Sequence, residues 1–105
     1  MIKIEFDDSK VSDDEIRQLS EGVQKVVSQS TGIEDVFVYA NSARIKVQIA
    51  PIEIFVEMSA GKVENLNDLT TTIKDGLSAW EKDSGFTQPI NLTVIPMNWK
   101  VEINI

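Results

Sequence analysis

The chain has 105 residues, an apolar share of 42% and a net charge of −7 from 10 basic and 17 acidic side chains. This length and apolar share are typical of one globular unit, so we expect a single domain over residues 1–105. The acidic balance disfavours contact with nucleic-acid phosphates or anionic membranes, and we expect neither partner.

The chain has no cysteine and no histidine, which excludes disulfides, thiol nucleophiles, the usual zinc sites and triads with an imidazole base. We therefore predict no metal and no cofactor. Because the sequence shows no signal-like or long apolar stretch, we expect a cytoplasmic protein.

The first predicted element is a β-strand in IKIEF, where apolar and polar residues alternate from residue 2 onward. A helix is predicted next, with Ser12 as its N-cap and Glu15 completing a capping box. Gly32 is expected to end it. The apolar residues between these signals recur at helical spacing: they are Ile16, Leu19, Val23, Val26 and Val27.

Two more strands are predicted in the first half of the chain. DVFVYA leads through NSA into RIKVQIA, and Pro51 then breaks the run. In RIKVQIA the apolar residues alternate with polar ones, so that Arg44 and Lys46 point to the same side. This segment is therefore predicted to be an extra strand with one polar side.

The second half of the chain repeats this pattern. IEIFVEM predicts a strand, a helix begins after Asn65 or Asn67 and ends at Gly85, and INLTVI and WKVEINI predict two further strands. Apolar positions recur fifty residues later, as when Ile4 is matched by Ile54 and Leu19 by Leu69.

The repeat indicates an α+β fold with halves 1–50 and 52–105. Each half is a β-α-β unit with a short extra strand, and the crossovers between parallel strands predict two helices on one face of a four-stranded mixed sheet. Two architectures fit, a ferredoxin-like sandwich and a tandem repeat with a pseudo-twofold axis. The polar opposite face and the apolar edges left by the extra strands favour the second architecture within an oligomer.

Four stretches carry a resemblance to a known family: MIKIEF, VFVYANS, APIEIFVEMSAGK and LTVIPMNWKVEINI. They resemble the tautomerase superfamily, the fold of macrophage migration inhibitory factor and 4-oxalocrotonate tautomerase. The likeness is greatest to a bacterial branch described only as a domain of unknown function. The resemblance implies a homotrimer with helices outside and pockets between neighbouring subunits.

The resemblance also implies a chemistry. Active members of the family use an N-terminal proline, whose secondary amine moves a proton between carbons while Arg or Lys groups hold the substrate's carboxylate. The matching position here is Ile2, which has no ring amine and whose bulk discourages removal of Met1. We therefore predict that proline-dependent tautomerase activity is lost.

The candidate site residues follow from this comparison and from the strand pattern. Met1 is the candidate catalytic residue, because its α-amine has an ordinary pKa near ~7.7–8.0. Arg44 and Lys46 are candidate clamps for a carboxylate ligand; the alternative is that they pair with acidic side chains across the sheet, namely Glu5, Glu53 or Glu57. Candidate pocket residues also include Ile2, Tyr39 and Trp99, and for Trp99 packing in a core or an interface is the alternative.

Three hypotheses for function result. The first is a trimeric, tautomerase-like scaffold without proline chemistry that binds a small anionic ligand at subunit interfaces. The second is a tautomerase or isomerase for small keto or enol acids that works through the Met1 amine. The third is a ferredoxin-like module that binds a small ligand or a protein partner through an open sheet edge.

Overall fold

The computed structural model, which describes residues 1–105, has four strands and two long helices. The elements are β1 (Ile2–Phe6), α1 (Asp13–Thr31), β2 (Val38–Ser42), β3 (Ile52–Ser59), α2 (Leu66–Ser84) and β4 (Asn91–Met97), with a short 3-10 turn at Ala60–Lys62. Neither helix has an apolar stretch that would let it cross a membrane.

The strands form one mixed sheet in the order β2-β1-β3-β4. β1 is parallel to β2, β3 is parallel to β4, and the two central strands are antiparallel to each other. Each helix therefore connects two neighbouring parallel strands, which confirms the predicted pair of β-α-β units. In a ferredoxin-like sheet another strand would separate β1 from β2. The topology thus excludes the ferredoxin-like alternative.

Both helices begin and end at the predicted signals. The Ser12 hydroxyl accepts a hydrogen bond from the Glu15 amide at 3.1 Å, and the Ser12 amide donates to the Glu15 carboxylate at 3.0 Å. At the start of α2 the Asn65 side chain accepts from the Asp68 amide at 3.0 Å, which decides between the two asparagines. Gly32 and Gly85 end the helices with φ of 73° and 74°, a left-handed conformation that only glycine adopts without strain.

The core lies between the helices and one face of the sheet. Its central members come from the two middle strands, where Ile2, Ile4, Ile52 and Ile54 have no exposed surface. The predicted apolar residues of α1 are all buried, as are Ile73 and Leu77 of α2, but Leu66 is exposed because it is the first residue of its helix. The periodicity therefore identified the buried face of both helices.

The two predicted extra strands are wrong for the isolated chain. Residues 44–50 and 99–105 form no strand, and they expose apolar side chains such as Ile45 at 78%, Val47 at 98% and Ile103 at 77%. A strand needs a neighbour for its main-chain N–H and C=O groups. No strand of the chain lies beside either segment. Both segments therefore keep the alternation of apolar and polar residues but form no strand.

Two strand boundaries also differ from the prediction. β2 begins at Val38 and includes Asn41 and Ser42, which were expected to connect two strands, because these residues pair in register with Glu5 and Phe6. β4 runs through Pro96 rather than ending before it. Proline has no N–H to donate, and an edge strand tolerates this.

Candidate functional site at the Met1 end of the sheet

The sheet face opposite the helices carries the N-terminus. Because Ile4 and its even-numbered neighbours in β1 face the helices, Met1 and Lys3 lie on the open face. The register places Lys3 opposite Tyr39 on one side and opposite Phe55 on the other. Lys3 therefore has one aromatic residue opposite it on each neighbouring strand, close to the start of the chain.

The Met1 amine is held by the neighbouring strand. It donates a hydrogen bond to the main-chain oxygen of Glu57 at 2.8 Å, and the Glu57 amide donates to the Met1 carbonyl at 2.8 Å. Burial lowers the pKa of the Met1 amine below its ordinary value, and the negative charge of Glu57 opposes this in part. Met1 is still 47% exposed, so small molecules in solution can reach it.

Lys3 and Glu57 form an ion pair at the same place. The Lys3 Nζ lies 3.1 Å from Oε1 of Glu57, whose side chain is only 11% exposed, whereas that of Lys3 is 49% exposed. The Oε1 atom is buried and has no hydrogen-bond partner, so its contact with Lys3 is an ion pair without hydrogen-bond geometry. With the Met1 amine protonated, two cations contact Glu57, the amine at its main-chain oxygen and Lys3 at its carboxylate, so the cluster has a net positive charge in an otherwise acidic chain.

Sequence reasoning did not identify Lys3 and Glu57 as a pair. The alternation put both on the polar face, but their contact depends on the register of β1 against β3. Residues 3 and 57 belong to different halves of the chain, and nothing in the repeat fixes how the halves pair. Only the structure supplies that register.

Ile2 is part of the core. Its side chain has no exposed surface, and its amide donates to the main-chain oxygen of Phe37 at 2.8 Å. The proposed role of Ile2 in lining a pocket is not compatible with this position, because the side chain points to the helices and not to the open face.

Arg44 and Lys46 lie at the opposite end of β1. Lys46 contacts Asp8, and its Nζ is 3.5 Å from Oδ1 of Asp7. The alternative interpretation of Lys46, a pairing with Glu5, Glu53 or Glu57 across the sheet, is therefore wrong, because its segment does not join the sheet. Arg44 is exposed and forms no ion pair within the chain. At ~3.3 Å per residue, the six residues from Met1 to Asp7 separate the two ends by about 20 Å.

The other two candidates lie nearer to Met1. Tyr39 is exposed on the open face beside Lys3. Trp99 follows β4, which is parallel to β3 and so ends at the same end of the sheet as Met1. Met1, Tyr39 and the start of the C-terminal segment thus lie at one end of the sheet. The two candidate carboxylate clamps, Arg44 and Lys46, lie at the other end.

A cavity of ≈ 240 Å³ lies at the Lys46 end of the sheet, between β1, β3, Ala43 and residues 48–50. Glu5 and Glu53, which are directly opposite each other in the sheet, both line it. Two facing carboxylates repel an anion, so this cavity does not suit the predicted ligand. No group of three or more acidic side chains in the chain is arranged to hold a metal ion.

Asp7 provides a prediction about acid stability. Hydrogen bonds from the Ser9 hydroxyl and amide, followed by the contact with Lys46, lower the pKa of Asp7. Because the pKa of Asp7 is lower in the folded than in the unfolded state, its ionised form stabilises the fold above about pH 4. This stabilisation is lost as the pH falls through the pKa of the folded state. We expect Asp7→Asn to melt below the wild type at pH 7 and to converge with it near pH 2. Thermal melts from pH 2 to 7 measure this, with Asp75→Asn as an exposed, unpaired control. Parallel curves for wild type and Asp7→Asn would contradict the prediction.

Comparison with solved structures identifies the fold. No protein-family model matches the chain, and no curated protein matches it by sequence. A malonate semialdehyde decarboxylase superposes with a TM-score of 0.71 at 12% identity, over 100% of this chain and 92% of that one. A fused 4-OT, a symmetric trimer, gives 0.61 at 18% identity over 98% and 91%. Macrophage migration inhibitory factor from Toxoplasma gondii gives 0.60 at 17% identity over 98% and 96%. Together with the strand order and the paired β-α-β units, these matches confirm the resemblance seen in the sequence: the chain has the fold of the tautomerase/macrophage migration inhibitory factor superfamily.

Proposed function

We propose that this protein is a homotrimer of the tautomerase fold that binds a small carboxylate beside Met1 and lacks proline-dependent tautomerase chemistry. Support for assembly comes from the fold, because two solved neighbours are described as trimers. Support for the loss of proline chemistry comes from Ile2, which stands where the family's active members have proline. Placement in the bacterial branch of unknown function and a cytoplasmic location stay predictions.

The observation that carries the proposal is the pair of apolar segments without a partner. Residues 44–50 and 99–105 alternate like strands and are exposed, while β2 and β4 each have one edge without a neighbour. Exposed edges and apolar strands of this kind are typical of surfaces that pair with another chain. In a head-to-tail ring of subunits, residues 44–50 or 99–105 of one subunit would lie near the sheet of the neighbouring subunit. Arg44 of one subunit could then approach Met1 of another, which a single chain does not allow.

The trimer is tested by changing the C-terminal segment. We expect the wild type to have three times the mass of the 11.7 kDa chain by light scattering at several concentrations. The double variant Val101→Asp, Ile103→Asp should be a monomer, because two charges would be buried in the interface without partners. Glu102→Gln, on the polar side of the same alternation, is the matched control and should remain a trimer. A wild type that is monomeric at every concentration would contradict the proposed assembly.

The anion site is supported by charge. The Met1 amine and Lys3 contribute two positive charges against the single carboxylate of Glu57, so the cluster attracts an anion. We expect phenylpyruvate to bind about tenfold more weakly to Lys3→Met, since a hydrogen bond to a charged group contributes about 1.5 kcal/mol or more. Arg44→Ala tests the contribution of the neighbouring subunit. Equal binding by wild type and both variants, measured by calorimetric titration, would reject the site.

A second candidate function is a tautomerase or isomerase that uses the Met1 amine. The observation that favours it is the burial of this amine, which lowers its pKa and leaves more of it as free base near neutral pH. Phenylpyruvate tautomerisation is the assay, with the protein compared before and after acetylation of the amine. Turnover that acetylation abolishes would support this candidate, and the absence of turnover, or turnover that acetylation leaves unchanged, would reject it.

A further inference from the structure

We propose that Lys46 is a latch that holds residues 43–50 against the turn after β1, and that this latch prepares the segment for docking with a second copy of the chain. The inference rests on the proposed assembly and names the residue that positions one of its contact segments. The observation that carries it is a lysine bound to its own chain while the apolar side chains next to it are exposed.

Both ends of the segment are fixed close to the end of β1. Before it, Ser42 is paired with Phe6 in the sheet. After it, the Pro51 carbonyl accepts a hydrogen bond from the Asp7 amide at 2.9 Å. Between these two points, none of the main-chain hydrogen bonds of the chain involves residues 43–50. The main chain therefore provides no support for the middle of the segment.

The Lys46 side chain supplies this support. It contacts the Asp8 carboxylate, and its Nζ lies 3.5 Å from Oδ1 of Asp7. The nearly buried Asp7 carboxylate accepts hydrogen bonds from the Ser9 hydroxyl and amide, so it offers the lysine a fixed position. The hydrogen bond between Lys46 and Asp8 raises the pKa of Lys46 and lowers that of Asp8, so both groups are charged at neutral pH. The contact is therefore an ion pair that binds the middle of the segment.

The latch also orients the side chains of the segment. Ile45 and Val47, on either side of Lys46 in the sequence, are exposed, while Ala43 and residues 48–50 line the cavity at the end of the sheet. Lys46 thus faces its own chain and the two apolar residues face away from it, as alternation along a strand requires. The unpaired N–H and C=O groups of the segment are free to bond to another strand.

A second copy of the chain is the partner that this surface fits. The outer strands β2 and β4 each have one edge of unpaired main-chain groups, and a strand-like segment is what such an edge lacks. Each copy therefore offers both parts of the contact, but the latch keeps the segment of a single chain at the turn after β1. Because a segment that is already held in place loses less conformational freedom on binding, the latch strengthens the assembly.

The first experiment tests the latch in single chains. Trypsin is added to the double variant Val101→Asp, Ile103→Asp, in which no neighbouring copy covers the segment, and cleavage after Arg44 is followed by mass spectrometry. In this background we expect Lys46→Met and Asp8→Ala each to speed the cleavage about fivefold, and the two changes together to be no faster than either alone. Asp8→Ala leaves the sequence around the cleaved bond unchanged.

A second lysine and a change of salt serve as controls. Lys10→Met changes an exposed lysine of the same turn that forms no ion pair, and it should be cleaved at the rate of the background. Addition of NaCl to about 0.5 M should bring the rate of the background close to that of Lys46→Met, because salt screens the ion pair. A role for Lys46 in packing alone would leave the difference unchanged.

The second experiment tests the effect on assembly in the otherwise wild-type chain. By light scattering over a dilution series, we expect Lys46→Met to dissociate at a concentration about tenfold higher than the wild type, since each of three subunits loses one latch. Lys10→Met should dissociate at the wild-type concentration.

The outcomes separate this inference from the function on which it rests. Equal rates of cleavage in the background, Lys46→Met and Asp8→Ala would overturn the latch. A wild-type trimer that dissociates at the same concentration as Lys46→Met would overturn the role of the latch and retain the proposed homotrimer. A wild type that is monomeric at every concentration would reject both the homotrimer and that role.

Discussion

Replacing Ile2 with proline, the residue of the family's active members, should lower the free energy of unfolding by about 2–4 kcal/mol. Ile2 has no exposed surface and packs in the centre of the core, so the smaller ring would leave a cavity. With Met1 retained, the variant also loses the hydrogen bond from residue 2 to the Phe37 carbonyl. Urea unfolding of wild type and variant, at equal protein concentration, measures the difference.

Ile2→Val is the control for this experiment, because it removes one methylene group and keeps the N–H; it should cost about 0.5–1.5 kcal/mol. We also expect no gain of phenylpyruvate tautomerisation in Ile2→Pro while Met1 remains, because the proline nitrogen is then an amide and not a base. A proline variant as stable as Ile2→Val would show that the core does not depend on this side chain. Turnover with Met1 still present would contradict the second expectation.

Replacing Gly22 with alanine should destabilise the protein by about 2 kcal/mol, even though alanine favours helices by about 1 kcal/mol over glycine. A Cβ at Gly22 would lie 2.3 Å from Cε2 and 2.4 Å from Nε1 of Trp80, so the two helices would have to move apart or the ring would have to leave its place. Trp80 cannot move without loss, because it packs on the core and its ring centroid is 5.3 Å from that of Phe86.

Gly61→Ala is the matched control for the helix contact. Its Cβ would meet nothing closer than Ser59 Oγ at 3.8 Å, so we expect a change within about 0.5 kcal/mol. Tryptophan fluorescence gives a second measurement, because a displaced Trp80 should become more exposed to water and shift its emission. A Gly22→Ala variant that is as stable as wild type, with unchanged emission, would contradict close packing of α1 on α2.

Local signals in the sequence predicted most of the fold. The capping box at Ser12, the glycines at the helix ends and the apolar stripes depend on neighbours within four residues, so each could be recognised without knowledge of the rest of the chain. The fifty-residue repeat then predicted two β-α-β units, and the sheet has both. Pairing was harder to predict, because alternation identifies a strand and its faces but not the chain that lies beside it. This is why RIKVQIA and WKVEINI could be predicted as extra strands with apolar edges, whereas the strand that would lie beside each of them could not.

The candidate site depended on pairing even more strongly. The Met1 amine could be named from the sequence, yet its contact with Glu57 and the presence of Lys3 follow from the antiparallel register of β1 and β3. The sequence left two roles open for Lys46, a carboxylate clamp or a partner of acidic residues across the sheet, but Lys46 contacts Asp7 and Asp8, since its segment leaves the sheet after Ser42. Contacts between residues far apart in sequence were thus the part that composition and periodicity could not predict.

The exposed apolar segments have a consequence for how this protein's stability is measured. Any interaction that binds the folded chain and not the unfolded one adds to the apparent stability in proportion to the logarithm of the partner's concentration. Where the partner is another copy of the same chain, the melting temperature becomes a function of how much protein is in the sample. Dilution should then lower the melting temperature, expose Val47 and Ile103 to water, and favour aggregation through edges that neighbouring copies otherwise cover.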